Sequence, residues 1–340
     1  MALPAHDPGR LPAGLCVFGL TYACGMTWAG TPRANPNPLS ARDVIVLAAD
    51  SGLSWVELPL RMLDDGASDS LRDVGAFARD RGIRFVVPGG QVSAEDLRRH
   101  LNVASELSAP TVRCTLSGIL CGDRRGFPGG WRARLRFCEQ ELAAVVPVAE
   151  RLGVALALEN HQDADSADLL ALCERFSSRY LGITLDCGNP LAVMEDPVAF
   201  AMRIAPYLRH AHLKDYTAHP APNGYRLVRC PLGAGLVDFP ALFQLFDAQE
   251  WPITRNIEMG ALQARLIPML EPSWWDEYGA RSAQSTLPAL SRVWNGLRPA
   301  AEDWRTPWER DAPPEELLAY EWDQYNESLA SLKRLCGSSA

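Results

Sequence analysis

Apolar residues in this chain alternate with polar or small ones in short runs, and several of these runs stop on a side chain that can bind a metal or move a proton. In VALALEN, Val154, Leu156 and Leu158 share one face, while Ala155, Ala157 and Glu159 share the other, because side chains along a strand alternate with period two. LGITLD sets Leu181, Ile183 and Leu185 against Gly182, Thr184 and Asp186. LRHAHLKD sets Ala211 and Leu213 against His210, His212 and Lys214, and ITRNIE sets Ile253 and Ile257 against Thr254, Asn256 and Glu258. Each run has a greasy face suited to covering helices and a polar face ending in a potential ligand. That is the pattern of a parallel barrel delivering functional groups to the carboxyl ends of its strands.

Between these runs lie segments of helical periodicity that end near glycines. DVIVLAADSG precedes LSWVELPL, LRDVGAFARDRG precedes IRFVVPG, and ELAAVVPVAERLG precedes VALALEN, with Gly52, Gly82 and Gly153 at helix ends that call for a left-handed backbone. Strands are predicted near 15–20, 54–59, 83–88, 111–115, 154–159, 181–186, 209–214 and 253–258. Helices are predicted near 41–51, 68–81, 94–107, 133–152, 166–177, 197–206 and 238–249. Eight strands alternating with helices make a closed (β/α)8 TIM barrel over residues 1–265. Two long connections, Thr21–Ser40 and Ser117–Trp131, leave its active face; they bring Tyr22, Trp28, Arg124, Arg125, Phe127 and Trp131 as a lid, a sugar platform or simple loop packing.

Residues 266–340 form a tryptophan-rich C-terminal extension with a helix predicted from Pro314 to Leu335. Leu318, Trp322, Tyr325, Leu329 and Leu332 give that helix an apolar stripe, to be buried on the barrel or on a partner. A homo-oligomer is expected, with a small partner subunit as an alternative.

A chain of 340 residues with 47% hydrophobic content can bury a full core as one large domain. The N-terminal MALPAHDPGRLPAG is too short and proline-rich for a secretory signal, and no apolar stretch spans a bilayer, so a cytoplasmic protein without membrane association is expected. Nine cysteines without a C-x-x-C pair fit reduced thiols. A net charge of -8 disfavours nucleic acid as a partner.

Glu159, Asp186, His212 and Glu258 offer three carboxylates and one imidazole, a set suited to one divalent cation: Mn2+ first, with Mg2+ or Co2+ as alternatives. Such an ion, chelating adjacent carbonyl and hydroxyl oxygens of a ketose, stabilises the charge that develops when the neighbouring C–H is deprotonated. Returning the proton elsewhere isomerises the sugar, returning it to the other face epimerises it, and expelling a β substituent is elimination.

LALENHQD, GITLDCGNP, HAHLKDY and IEMG together resemble the second half of the xylose isomerase-like TIM barrel superfamily, which contains sugar isomerases and epimerases, inosose dehydratases and endonuclease IV. The resemblance implies that Glu159, Asp186, His212 and Glu258 hold one divalent cation and that Glu159 and Glu258 double as acid and base. Endonuclease IV-like enzymes carry a histidine where Asn189 stands, which points away from a multinuclear nuclease. Ketose 3-epimerases also differ here, at Asn189, Asp165 and Ala218.

His161 shares the side of its strand with Glu159, and Lys214 shares that of His212, so His161 is a candidate acid or base and Lys214 a candidate enolate or substrate contact. Glu57 and Arg113 have inward parity and could hold substrate hydroxyls or pair inside the barrel; Tyr22 and Trp28 complete the candidate substrate contacts. The function expected is a metal-dependent isomerase or epimerase of a sugar, keto-sugar or sugar acid. A lyase of inosose dehydratase or 3-keto-glycoside-cleaving type is the alternative, with His161 protonating the leaving group, and a noncatalytic carbohydrate-binding barrel comes third.

Overall fold

The alternating runs become the staves of a barrel because each can bury its aliphatic face under a helix and its small face inside the ring. The computed structural model describes residues 9–63 and 70–337. Strands β1 (Gly14–Cys16), β2 (Trp55–Glu57), β3 (Arg84–Gln91), β4 (Thr111–Thr115), β5 (Ala155–Glu159), β6 (Leu181–Asp186) and β7 (Leu208–Leu213) pair in parallel in chain order. Strands β8 (Asp215–Ala221) and β9 (Gly224–Cys230) stand apart, and β10 (Thr254–Ile257) closes the ring between β7 and β1. The fold is a (β/α)8 TIM barrel, as the alternation predicts.

Helices α1 (Ala41–Asp50), α3 (Leu71–Arg79), α4 (Ala94–Glu106), α5 (Trp131–Leu152), α6 (Ser166–Phe176), α7 (Pro197–Ile204) and α8 (Phe239–Asp247) follow the first seven staves; a one-turn α2 (Leu60–Leu63) precedes α3. The helix predicted over 68–81 begins at Leu71; its first two predicted residues lie outside the described ones. Gly52, Gly82 and Gly153 all have positive φ, and Gly153 caps α5 in the left-handed conformation.

Strand β1 is shorter than the predicted 15–20, since Val17–Gly19 turn into a 3-10 helix. There the backbone of Gly19 crosses β10's end so closely that an added Cβ would sit 3.1 Å from the Met259 amide nitrogen; Val17 and Leu20 are buried, and Phe18 lines the cavity at this end of the barrel.

The sequence reading did not anticipate the sheet formed by β8, β9 and β11 (Arg265–Ile267), which is antiparallel and sits at the carboxyl end of the barrel. Its signal is nevertheless present, as Asn223-Gly224 sits between two alternating runs, DYTAHPA and GYRLVRC. Tyr225, Leu227 and Ile267 share a small core with Trp274 and with Val293 of the unpredicted α9 (Ala283–Asn295).

The last helix, α10 (Pro314–Gly337), supplies the eighth covering helix, with Tyr325 and Leu332 in the main core and Leu317 packed with Tyr22 and Trp308. Its Glu321 is buried; the Tyr22 and Ala23 amides donate to it at 2.8 Å each and the Thr21 hydroxyl at 3.1 Å, which fastens the helix to the loop after β1. Glu321→Ala leaves two buried amides without acceptors, and denaturant unfolding should register a loss of about 2–3 kcal/mol. Burial outweighs these donors and pushes the Glu321 carboxyl from 4.5 up to about 7. The folded chain therefore retains a proton that the unfolded chain releases, so this contribution is full below pH 4.5 and declines as the pH rises through 7. Glu321→Gln should flatten that part of the stability profile; an unchanged slope would show that the carboxyl titrates normally.

Candidate metal centre

Inward parity brings Glu159, Asp186, His212 and Glu258 to one point at the carboxyl ends of β5, β6, β7 and β10. Each offers a ligand atom within 4.8 Å of all the others, and all four side chains are buried. One atom on each (Glu159 Oε2, Asp186 Oδ1, His212 Nδ1 and Glu258 Oε2) is buried without a hydrogen bond. Glu159 Oε2 has Arg113 Nη1 at 3.0 Å and Glu258 Oε2 has Lys214 Nζ at 3.2 Å, ion pairs without a well-formed hydrogen bond, and four electron-rich atoms converging on one point fit a further positive partner.

Glu57, at the end of β2, decides which nitrogen of His212 faces that point. One oxygen of Glu57 accepts from Arg113 Nε at 3.0 Å and Nη2 at 2.8 Å; the other accepts from His212 Nε2 at 2.8 Å and Asn256 Nδ2 at 3.2 Å. With Nε2 donating to Glu57, the neutral imidazole presents a lone pair at Nδ1. That Nδ1 lies 2.8 Å from Glu258 Oε2 and 4.0 Å from Glu159 Oε2. Two electron-rich atoms at 2.8 Å repel unless a proton or a cation lies between them. With no cation present, burial opposes the charged imidazole, but Glu57 and Glu258 raise the His212 pKa well above its usual value. A divalent ion would do the proton's work with twice the charge.

The charge count agrees. Four buried carboxylates, Glu57, Glu159, Asp186 and Glu258, face only two fixed cations among their ion-pair partners. Arg113 Nη1 lies 3.0 Å from Glu159, and Lys214 Nζ lies 2.6 Å from Asp186 and 3.2 Å from Glu258. Burial, then the neighbouring Glu258 and Glu159, push Asp186 up to about 7 even against Lys214. Burial also opposes ionisation of Glu258, but Lys214 and His212 outweigh it and hold that carboxyl below its ordinary range. One divalent cation would balance the set with His212 neutral. A second potential trio, Cys16, Glu57 and His212, is less suited, because both Glu57 oxygens are occupied and burial pushes the Cys16 thiol up to about 12.

The centre opens into a cavity of about 450 Å3 lined by Glu159, Glu258, His161, Arg113 and Lys214 among others. His161 is half-buried there, with Nδ1 lacking a partner. Glu57 is fully buried behind the ligands and does not line the cavity. Lys214 pairs with the ligand carboxylates, not with Glu57. Tyr22 and Trp28 are not brought to the cavity: with Trp308 they form an aromatic cluster, ring centroids 4.9–6.2 Å apart, and Tyr22 donates its hydroxyl to the Arg33 carbonyl. Arg124 is buried against Asp168 at 2.6 Å, and Arg125 pairs with Asp123 and Glu271 at 2.7 Å each, so these two loop arginines take part in structural bonding.

Sequence reasoning missed the work of Asn189. Its Nδ2 donates to Asp186 Oδ2 at 2.7 Å, and its carbonyl accepts from Gln162 at 3.2 Å and the Tyr216 hydroxyl at 3.0 Å. Seen in sequence as a lost histidine, it holds Asp186 in place. Asp165, likewise, caps α6 and pairs with Arg281 at 2.8 Å.

Residues 45–266 match the family model described as xylose isomerase-like TIM barrel. The chain belongs to this family. It is 27% identical over 244 residues to the 3-oxo-isoapionate decarboxylase of Pectobacterium atrosepticum, covering 70% of this chain and 83% of that one. The fold is shared with 3-keto-D-glucoside 4-epimerase from E. coli at 14% identity and a TM-score of 0.54, covering 84% of this chain and 100% of that one. It is also shared with the IOLI protein, determined with a zinc atom, at 11% identity and a TM-score of 0.52, covering 84% and 95%. The decarboxylase and the epimerase are enzymes.

Elemental analysis of protein loaded with Mn2+ and desalted should find one ion per chain, with a thermal midpoint that falls on chelation. Asp186→Asn should weaken retention at least about tenfold. Full retention in that variant would place the ion elsewhere.

Proposed function

We propose that the protein is a divalent-metal-dependent enzyme that isomerises or epimerises a keto-sugar by moving a proton next to its carbonyl. The observation that carries this reading is the convergence of four buried ligand atoms, three carboxylate oxygens and one imidazole nitrogen, at the end of a sugar-sized cavity. Glu159, Asp186, His212 and Glu258 would hold the ion, which supplies Lewis-acid stabilisation of oxyanion charge.

The rest falls to the chain's own side chains. Glu159 and Glu258 come from strands separated by β6 and β7, and both reach the cavity wall, so they can address a substrate from different sides. Each has one oxygen, Oε2, turned to the centre, and the second carboxylate oxygen, Oε1, is the one that would take or return a proton. Arg113, held by Glu57, pairs with Glu159, and Lys214 pairs with Glu258 and helps hold that carboxyl below its ordinary range. Lys214 also brings an ammonium to the cavity, where it can meet enolate charge.

A lyase is the second reading, favoured by the likeness to a decarboxylase and by His161, whose imidazole lines the cavity with Glu159 and suits protonation of a leaving group or of a carbanion. Both readings use the same charge-stabilising floor.

Metal-loaded protein incubated in deuterium oxide with ketoses, inososes and 3-keto-glycosides, followed by NMR, should exchange a C–H beside the carbonyl of its substrate. Product of unchanged composition marks isomerisation, and release of water, carbon dioxide or an aglycone marks the lyase. Glu159→Gln and Glu258→Gln are each expected to slow the reaction by about 10²–10⁴; unchanged turnover in both would refute the proton-transfer assignment.

A further inference from the structure

The extra sheet brings two arginines to the same cavity, and among the described residues neither forms an ion pair with a carboxylate. Leu227 on β9 pairs across to Arg265 on β11, and Arg229 follows Leu227 by two residues, so Arg229 and Arg265 lie on one face of the sheet. The apolar part of that face, Tyr225, Leu227 and Ile267, is packed into a core; its polar part lines the cavity. Arg229 is only 7% exposed and donates from Nη1 to the Gln263 carbonyl at 3.1 Å, while Arg265 is half-buried. The Nε atoms of both are buried without a partner. Glu309, the acidic group that acts on Arg265, is already taken up by the Ala264 and Thr306 amides, and Lys214 adds a further positive charge on the side of Arg229.

Two guanidinium groups desolvated side by side repel one another and cost free energy unless an anion completes them. The floor of the cavity cannot supply it, since its carboxylates are balanced by Arg113, Lys214 and the proposed divalent ion. A guanidinium fork is built to grip the two oxygens of a carboxylate or phosphate. Gly260, at a left-handed φ of +55°, leaves open the space beside Arg229, where an added Cβ would stand 3.1 Å from Nε.

Resting on the reading of the floor as the reaction site, we propose that the substrate is an anionic sugar whose carboxylate or phosphate docks on Arg229 and Arg265 while its carbonyl end meets the metal centre. The anion is a handle, held apart from the reacting carbons: salt-bridging a carboxylate stabilises it before reaction, so this group is retained in the product.

Calorimetric titration of Mn2+-loaded full-length protein with ribitol, D-ribonate and ribitol 5-phosphate tests the inference. At least one anion is expected to bind about tenfold or more tightly than ribitol; which one does so tells a sugar acid from a sugar phosphate. Arg229→Gln and Arg265→Gln should each shrink that preference by about tenfold. If a glutamine variant fails to fold, Arg229→Lys, which keeps the charge and loses the fork, should reduce the preference partially. Sulfate should also compete with the anion on the wild type.

The same titrations after chelation separate the two readings. An anion preference that persists without metal belongs to the arginines, whereas one that disappears belongs to the ion and overturns the inference. Equal binding of all three probes, or a preference that survives the double glutamine variant, would also overturn it. Metal content of one per chain in the arginine variants would confine such a failure to the anion site, and loss of metal binding in the wild type would instead count against the proposed function.

Discussion

The structure turns on the burial of four carboxylates at the mouth of a barrel, where among the described residues two fixed cations, Arg113 and Lys214, pair with them. Carboxylates removed from water at this density repel one another strongly in a low-dielectric interior, and they stay ionised only if positive charge is brought to them. Arg113 and Lys214 supply half of what is required. The remainder is the reason to place a divalent ion among Glu159, Asp186, His212 and Glu258, and it explains why Glu57 and Asn189, which do not face the ion, are held so tightly. Glu57 fixes the ring of His212 with Nδ1 forward, and Asn189 holds Asp186.

Seen this way, the barrel and the extra sheet divide the work. The parallel strands set the ligands by alternation alone, so their geometry comes from a rigid frame. The antiparallel sheet, inserted after β7 and completed after β10, carries the arginines that overlook the same cavity. On the proposed reading, chemistry at the floor and recognition at the wall can vary independently on one fold.

Much of the floor was legible in the sequence. Period-two alternation leads to Glu159, Asp186, His212 and Glu258 because each ends a strand, and a local rule decides which way a strand residue points. What was not legible depends on contacts between distant residues. Glu57 is inward by parity, but nothing local reveals that it lies 155 positions from the histidine it orients. Tyr22 and Trp28 resemble sugar-stacking aromatics until Trp308 arrives to bury them. Arg229 and Arg265 pass unnoticed because they meet only when β11 pairs with the β8–β9 hairpin; Asn223-Gly224 marks that hairpin in the sequence but nothing local marks its pairing with β11. The loss of histidine at position 189 was visible, whereas the work of its replacement appears only once Gln162 and Tyr216 are in place.

The central claim is that one cation completes this charge set, and anomalous diffraction from a crystal loaded with Mn2+ tests it directly. The account predicts a single strong peak bonded at about 2.0–2.3 Å to Glu159, Asp186, His212 Nδ1 and Glu258. A peak elsewhere in the molecule, or a proton shared between His212 and Glu258 with no metal at that position, would contradict it.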